Sequence, residues 1–309
     1  MGDSCEKKKK KNKTEWKNPK KYKPEEEQPK NPTNGSNANS TAKRKRKEVA
    51  IFGNYRNYYG YRIGKDLEED PRLKVMKKEW FQGKDCLDIG CNSGVITIQI
   101  AQKFSCNSIL GIDIDGDRVE DAKWTLRKFV RTSKKKSATD KSTAGEEGNQ
   151  PDNLVTKSQS ESSRCDSECS TTSAGRDLFD MVSFEKGNFV RNWSSPANKL
   201  YHTIVCLSVT KWIHLNWGDD GLITLFSKVW KLLQPGGVFI VEPQPWTSYS
   251  KNRLVSEAAT ENYQNIEIGP GDFQEILLDK IGFRRVEHIN PSLSKGKAGF
   301  NRPILAFWK

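Results

Sequence analysis

Residues 87–94, Leu87-Asp88-Ile89-Gly90-Cys91-Asn92-Ser93-Gly94, carry two glycines between an apolar stretch and a helical pattern. Cys86–Ile89 reads as a short strand and Gly94–Phe104 as a helix. In a doubly wound sheet, ligands bind over the carboxyl ends of strands, where the strand order reverses. Gly90 allows a sharp turn and close approach of backbone to ligand, and Gly94 lets the helix start against it. The dinucleotide fingerprint needs a third glycine, and Asn92 holds the middle position, which argues against NAD. Asp88 either steadies this loop or faces a cationic end of the ligand.

Working outward, Ser108–Ile114 reads as a second strand that brings Asp113 to its end, 23 residues after Gly90. An acid there can accept both hydroxyls of a ribose. The alternative, that Asp113 caps the next helix, suits Asp115 and Asp117 better. A D-x-G-x-x-x-G loop with an acid closing the next strand predicts a pocket for S-adenosyl-L-methionine. From about Asp117, Val119, Ala122, Leu126 and Phe129 share one helical face. Strands are expected at Val182–Glu185, Thr203–Val209 and Val238–Glu242, with a helical stripe from Leu222 to Leu233 that stops at Gln234-Pro235-Gly236-Gly237. A helix over Phe273–Ile281, closed by Gly282, precedes terminal strands at Arg285–Ile289 and Ile304–Trp308, expected to pair antiparallel. This alternation predicts an α/β fold of the class I S-adenosylmethionine-dependent methyltransferase type, Rossmann-like, with a mostly parallel sheet and helices on both faces.

Two segments fall outside that pattern. Residues 1–47 hold sixteen Lys and Arg against six Asp and Glu, so most of the net charge of +13 lies there. They read as a disordered basic tail, ahead of a methyltransferase domain over 48–309. Such a tail attracts polyanions by counterion release, or serves as a solubilising or targeting segment. Lys43-Arg44-Lys45-Arg46-Lys47 has the composition of a nuclear-localisation signal, so the protein is expected in the nucleus. Residues 133–176 are Ser-, Thr-, Lys- and Gly-rich and read as a disordered insertion. Cys165 and Cys169 lie in it without a second Cys/His pair, so no metal is expected. No run approaches the ~20 apolar residues of a membrane span, and no secretory signal is recognisable, so neither membrane nor disulfides are expected.

Three further stretches need a functional reading. Phe52-Gly53-Asn54-Tyr55-Arg56-Asn57-Tyr58-Tyr59-Gly60-Tyr61-Arg62 interleaves four tyrosines with two arginines. Such a segment stacks on bases and pairs with phosphate, or packs its tyrosines on the sheet. Thr210-Lys211-Trp212-Ile213-His214-Leu215-Asn216-Trp217-Gly218-Asp219 and Glu242-Pro243-Gln244-Pro245-Trp246 both follow strands, at the carboxyl edge where the methyl group is expected. His214 is readable either as a site residue or as a structural histidine. No Asn-Pro-Pro-Tyr-like loop follows the strand at 203–209, which disfavours methylation of an exocyclic amine.

Together these stretches resemble the methylphosphate capping enzyme family, the bicoid-interacting type of RNA methyltransferase, over about residues 51–131 and 177–309. TKWIHLNWGD carries most of the specificity; GCNSG is shared with many methyltransferases. The resemblance implies methylation of the 5′ terminal γ-phosphate of small nuclear RNA made by RNA polymerase III, 7SK RNA being one example. RNA-binding protein partners also accord with it. It implies cofactor contacts from Tyr59, Arg72, Gly90, Cys91, Asn92, Asp113, Ile114, Asn188, Phe189 and Leu207. It places Tyr58, Arg62, Lys211 and His214 around the RNA 5′ triphosphate, orienting it, with no single catalytic residue assigned. The long polar insertion departs from the family pattern. A terminal phosphate has a second pKa near ~6 and is already anionic at neutral pH, so the chemistry needs orientation rather than a general base. Two other readings stand beside it: a methyltransferase for protein or small molecules, and an RNA-binding scaffold that retains the fold.

Overall fold

The computed structural model describes residues 49–62, 69–142, 177–289 and 302–309, with backbone alone at 61 and 133–142. The strands are β1 Asp85–Ile89, β2 Ser108–Asp113, β3 Val182–Lys186, β4 Tyr201–Leu207, β5 Leu233–Glu242, β6 Arg285–Ile289 and β7 Ile304–Trp308. The helices are α1 Tyr58–Arg62, α2 Val95–Phe104, α3 Gly116–Ser142, α4 Leu178–Met181, α5 Thr210–Leu232, α6 Trp246–Asn252, α7 Glu257–Asn265 and α8 Phe273–Glu275, the last continuing as a π-turn over Ile276–Ile281.

The strands form one sheet in the order β3-β2-β1-β4-β5-β7-β6, parallel except for β7. This is the class I methyltransferase order. Successive strand residues point to opposite faces. Thus Cys86, Val205, Leu207, Val238, Ile240 and Ala306 pack with α2 and α3. Leu87, Ile204, Cys206, Phe239, Val241 and Phe307 pack with α5 and Phe273 on the other face. Burial on both faces explains why these strands read as nearly continuous apolar runs. The order reverses between β1 and β4, and the GCNSG loop opens there.

Several boundaries differ from the sequence expectation. The strand expected at Thr203–Val209 ends at Leu207, because Ser208 turns the chain at φ +64°. The helix expected from Leu222 starts at Thr210 and breaks at Gly218, φ +62°. Its first section buries Trp212, Ile213 and Leu215, in a stretch to which the sequence pattern gave no element. Helices α6 and α7 lie in a stretch for which the sequence pattern gave no element. Ser256, whose hydroxyl accepts the Ala259 N–H as N-cap, followed by Glu257 in the first turn, was a readable start signal for α7. Helix α3 extends to Ser142, into the segment expected to lack regular structure. Its Lys- and Ala-containing run has adequate helix propensity and meets no glycine until Gly145. The expected basic tail, the rest of the expected insertion, and Cys165 and Cys169 lie outside the described residues.

Gly94 has φ +72°, and a Cβ there would meet Phe184 at 2.5 Å and Ala122 at 2.9 Å. Gly236 has φ +76° with no neighbour within 4 Å. Gly94→Ala is therefore expected to cost about 2–4 kcal/mol, backbone strain plus overpacking. Gly236→Ala should cost only about 1–2 kcal/mol. Denaturant titration of the two variants separates the contributions.

Candidate active site

The cofactor loop is latched to the neighbouring strand. The backbone N–H groups of Gly90 and Cys91 both donate to the Ile112 carbonyl, at 2.8 and 3.0 Å. The Asp113 carboxylate accepts the N–H of Asn92 through Oδ2 and of Asp115 through Oδ1, each at 2.9 Å. Burial raises the pKa of Asp113, while these two N–H groups oppose the shift. Asn92 holds φ +51°, a conformation asparagine tolerates, and its side chain bonds Ser93 N–H and the Tyr55 carbonyl. Gly90 is required by space as well as by its φ of +75°, since a Cβ would lie 2.4 Å from Val209.

A cavity opens over this loop. Its walls include Ile112, Asp113 and Ile114 from the end of β2, Asn188 and Phe189 after β3, and Leu207, Ser208 and Val209 after β4. The segment Phe52–Asn54, with Tyr58 and Tyr59, covers it, and Phe52 stacks on Trp217 at 5.9 Å. Asp88 lines the floor, accepts from Thr97 Oγ1 at 2.6 Å, and is raised by burial to a pKa of about 6.

Residues suited to S-adenosylmethionine are all here. An ionised carboxylate offers about four acceptor positions. Asp113 uses two on backbone N–H groups, which leaves capacity for a ribose diol. Asn54 Oδ1 is buried without a protein partner, an acceptor that a ligand N–H can satisfy. Of the ten expected cofactor contacts, Tyr59, Arg72, Gly90, Asn92, Asp113, Ile114, Asn188, Phe189 and Leu207 line the cavity. Cys91 does not: its side chain belongs to the hydrophobic core, with 1% of its surface exposed.

Beside the cavity lies a buried ionic cluster. Glu242, at the end of β5, accepts from Arg62 at 2.5 Å and from Arg72 at 3.2 Å. Arg72 also makes a bidentate pair with Asp70, at 2.9 and 2.7 Å. Ser208 Oγ donates to Glu242 and accepts from Arg302 Nη1 at 3.0 Å. Arg62 reaches the Tyr58 hydroxyl at 3.2 Å. Burial would push the Glu242 carboxyl up, but Arg62, Arg72 and Arg302 outweigh it and hold it below the usual range. Lys211 bonds Ser248 Oγ at 3.0 Å and Asn252 Oδ1 at 2.6 Å, with its ammonium 4.0 Å above the Trp212 ring. Burial, then the charge of Arg302, bring Lys211 down to about 7. Three guanidinium groups and Lys211 thus lie around Asp70 and Glu242, with Asp88 also near Arg72, and Arg302, bonded to Ser208, and Lys211, bonded to Ser248 and Asn252, suit an anion.

Three of the four expected substrate-orienting residues, Tyr58, Arg62 and Lys211, belong to this region; His214 does not. Its side chain is fully buried, 2.6 Å from Asp219 Oδ1 through Nε2 and 3.3 Å from the Tyr249 hydroxyl through Nδ1. Asp219 in turn accepts the N–H groups of Glu267 and Ile268. Burial lowers the His214 pKa, so the ring is neutral and braces α5 against the chain after α7. The structural reading of His214 is the one the geometry supports.

Sequence reading missed Asp70, Ser208, Gln244 and Arg302. Gln244 accepts from Thr210 Oγ1 and Lys211 N–H, both at 3.1 Å, and donates to the Ser208 carbonyl, pinning the turn after β4. It stands within the quoted EPQPW stretch and was within reach of sequence argument. Arg302 was not, because it reaches the cluster from the start of β7.

The profile of the family described as Bicoid-interacting protein 3 (Bin3) matches residues 201–309. A protein of Arabidopsis thaliana described as a probable RNA methyltransferase is 59% identical over 268 residues, covering 86% of this chain and 83% of the relative. The U6 snRNA methylphosphate capping enzyme Amus of Drosophila melanogaster is 33% identical over 264 residues, 84% of this chain and 74% of the relative. The human 7SK snRNA methylphosphate capping enzyme is 35% identical over 272 residues, which are 84% of this chain but 39% of that longer protein. With the cofactor loop, the acid after β2 and the cationic cluster in one site, these likenesses place the chain in the Bin3 family, among the methylphosphate capping enzymes and their relatives.

Proposed function

We propose that the chain is an S-adenosylmethionine-dependent RNA methyltransferase that methylates the γ-phosphate at the 5′ end of small nuclear RNA. The observation that carries this reading is the cationic cluster of Arg62, Arg72, Arg302 and Lys211 beside the cofactor cavity. The relatives named for 7SK and U6 RNA supply the substrate class. A nuclear site of action accords with those substrates and with the basic block at 43–47. RNA-binding protein partners also accord with this role.

S-adenosylmethionine, when bound, supplies an electrophilic methyl group on a sulfonium. The protein's own work is to bind and orient. Asp113 and Asn54 offer acceptors to the nucleoside, and Asp88 offers a carboxylate to an ammonium group. Tyr58, at the border of cavity and cluster, can donate a hydrogen bond to a phosphate oxygen. Arg302 and Lys211 neutralise the charge of the remaining phosphates. The attacking oxygen carries negative charge at neutral pH, so no residue need remove a proton from it. Binding and alignment, rather than acid–base chemistry, then supply the rate.

The direct test offers isotopically labelled S-adenosylmethionine with RNA bearing a 5′ triphosphate, monophosphate or hydroxyl. Transfer to the triphosphate RNA, lost after enzymatic removal of the terminal phosphate, is expected. Preference for the monophosphate would move the chain toward the RNA 5′-monophosphate methyltransferases among its relatives. Label in base or ribose would refute phosphate methylation.

Asp113→Ala is expected to weaken S-adenosylhomocysteine binding by at least about 1.5–3 kcal/mol, the scale of hydrogen bonds to a charged group. Calorimetry measures it, with circular dichroism to confirm folding. A pH series gives a second expectation. Single-turnover kcat should rise with the second phosphate ionisation near ~6 and then level off. Lys211 loses its proton as pH rises through about 7, so kcat/KM for triphosphate RNA should fall above that value. In Lys211→Met the alkaline fall should vanish while the kcat plateau persists. A kcat that follows His214 instead, collapsing in His214→Asn with intact folding, would contradict the structural role given to that residue.

A further inference from the structure

Away from the cofactor cavity, the outer face of α3 carries an exposed tryptophan. Trp124 has 60% of its surface exposed, whereas Val119, Ala122, Leu126 and Val130 on the inner face of the helix are buried. Arg127, Lys128 and Arg131 are also exposed and line a shallow depression with Trp124. Spacings of three, four and seven residues place these cations on the tryptophan's side of the helix. The Lys128 ammonium lies 5.6 Å from the Trp124 ring centre. From Lys123 to Lys136 the sequence has seven cations and no acid, and Glu120, just before this run, pairs with Lys123 and also attracts Arg127. Like charges one turn apart, such as Arg127 and Arg131, destabilise a helix in the absence of a counter-charge. A polyanion relieves that repulsion, and an exposed indole gives a base a face to stack on.

We propose that this face of α3 is a second RNA-binding surface, which holds a single-stranded or looped segment downstream of the 5′ end. The proposal rests on the reading of the chain as an RNA methyltransferase, and it adds a contact that the reaction itself does not need. α3 starts just after Asp113, at the rim of the cofactor cavity. At 1.5 Å per residue, Trp124 stands about 12 Å and Arg131 about 22 Å along the helix from Gly116. An RNA whose 5′ end occupies the site must also cross from the cationic cluster to Gly116, a path that a chain of tens of nucleotides can cover. Stacking by Trp124 with phosphate contacts from Arg127, Lys128 and Arg131 tolerates many sequences, as a surface that retains RNA rather than selects it would need.

The test compares a 5′-triphosphate trinucleotide with a 60-nucleotide RNA of the same 5′ sequence, on wild type, Trp124→Ala, Trp124→Phe and Arg127→Ser/Arg131→Ser. The Kd for the long RNA should rise about 5-fold or more in Trp124→Ala and recover in Trp124→Phe. The double arginine variant should lower the salt slope of log Kd by about 1.4, two phosphate contacts on a single strand. Methylation of the trinucleotide should be unchanged in every variant. Long-RNA affinity and salt slope equal to wild type in both Trp124→Ala and the double variant would overturn the proposal and leave this face to a protein partner or to solvent. Trinucleotide that wild type does not methylate would count against the proposed function, whereas the long-RNA comparison addresses the surface on its own terms.

Discussion

A carboxylate buried at the end of a central strand needs counter-charges, and Glu242 draws the structure together by that requirement. Its side chain has almost no contact with solvent, so an unpaired charge there would cost several kcal/mol. Arg62 from α1, Arg72 from the turn after Asp70, and Ser208 from the end of β4 all converge on it. Arg302, at the start of β7, joins through Ser208. Segments distant in sequence are therefore fixed to the carboxyl edge of the sheet by one charge-pairing constraint. Removing Glu242 would leave the buried Arg62 and Arg72 with less counter-charge than they have now.

The same constraint sets the chemistry available at the site. Glu242 and Asp70 hold the guanidinium groups in place but do not offset all the surrounding cationic groups. The cluster borders, through Arg72, Tyr58 and Ser208, a cavity whose other walls are apolar side chains and acceptor groups. An enzyme that methylates a phosphate must attract an anion without removing a proton. Neutral His214, braced between Asp219 and Tyr249, is consistent with such a division of labour. The cofactor half depends on a different bond set, with Asp113 clamping two backbone N–H groups. The outer face of α3 carries a separate group of cations, Arg127, Lys128 and Arg131, away from the reaction centre.

Much of the fold was legible because its strands are buried on both faces and its helices are amphipathic. The GCNSG loop and Asp113 were legible because glycine at positive φ and an acid at a strand end have few other uses. Helix α6 and the first section of α5 were hidden for the opposite reason. Their apolar residues, such as Leu215 and Tyr249, pack on a satellite of the core, and prolines and polar residues obscure the period. Sequence alone also left His214 between two readings, since a histidine's role depends on what surrounds it.

Most strand positions, the adenosylmethionine loop and the tyrosine-rich, tryptophan-rich and EPQPW stretches were thus determined by the sequence, because local propensity, backbone freedom and burial pattern act over a few residues. The ionic cluster was decided only in three dimensions. Asp70, Ser208, Glu242 and Arg302 span more than two hundred residues of chain. Each alone is an ordinary polar residue, and only the parallel sheet, with β7 inserted beside β5, brings them within hydrogen-bond distance. The packing of the Cys91 side chain in the core and the bonds of His214 to Asp219 and Tyr249 depend likewise on contacts that no local pattern encodes.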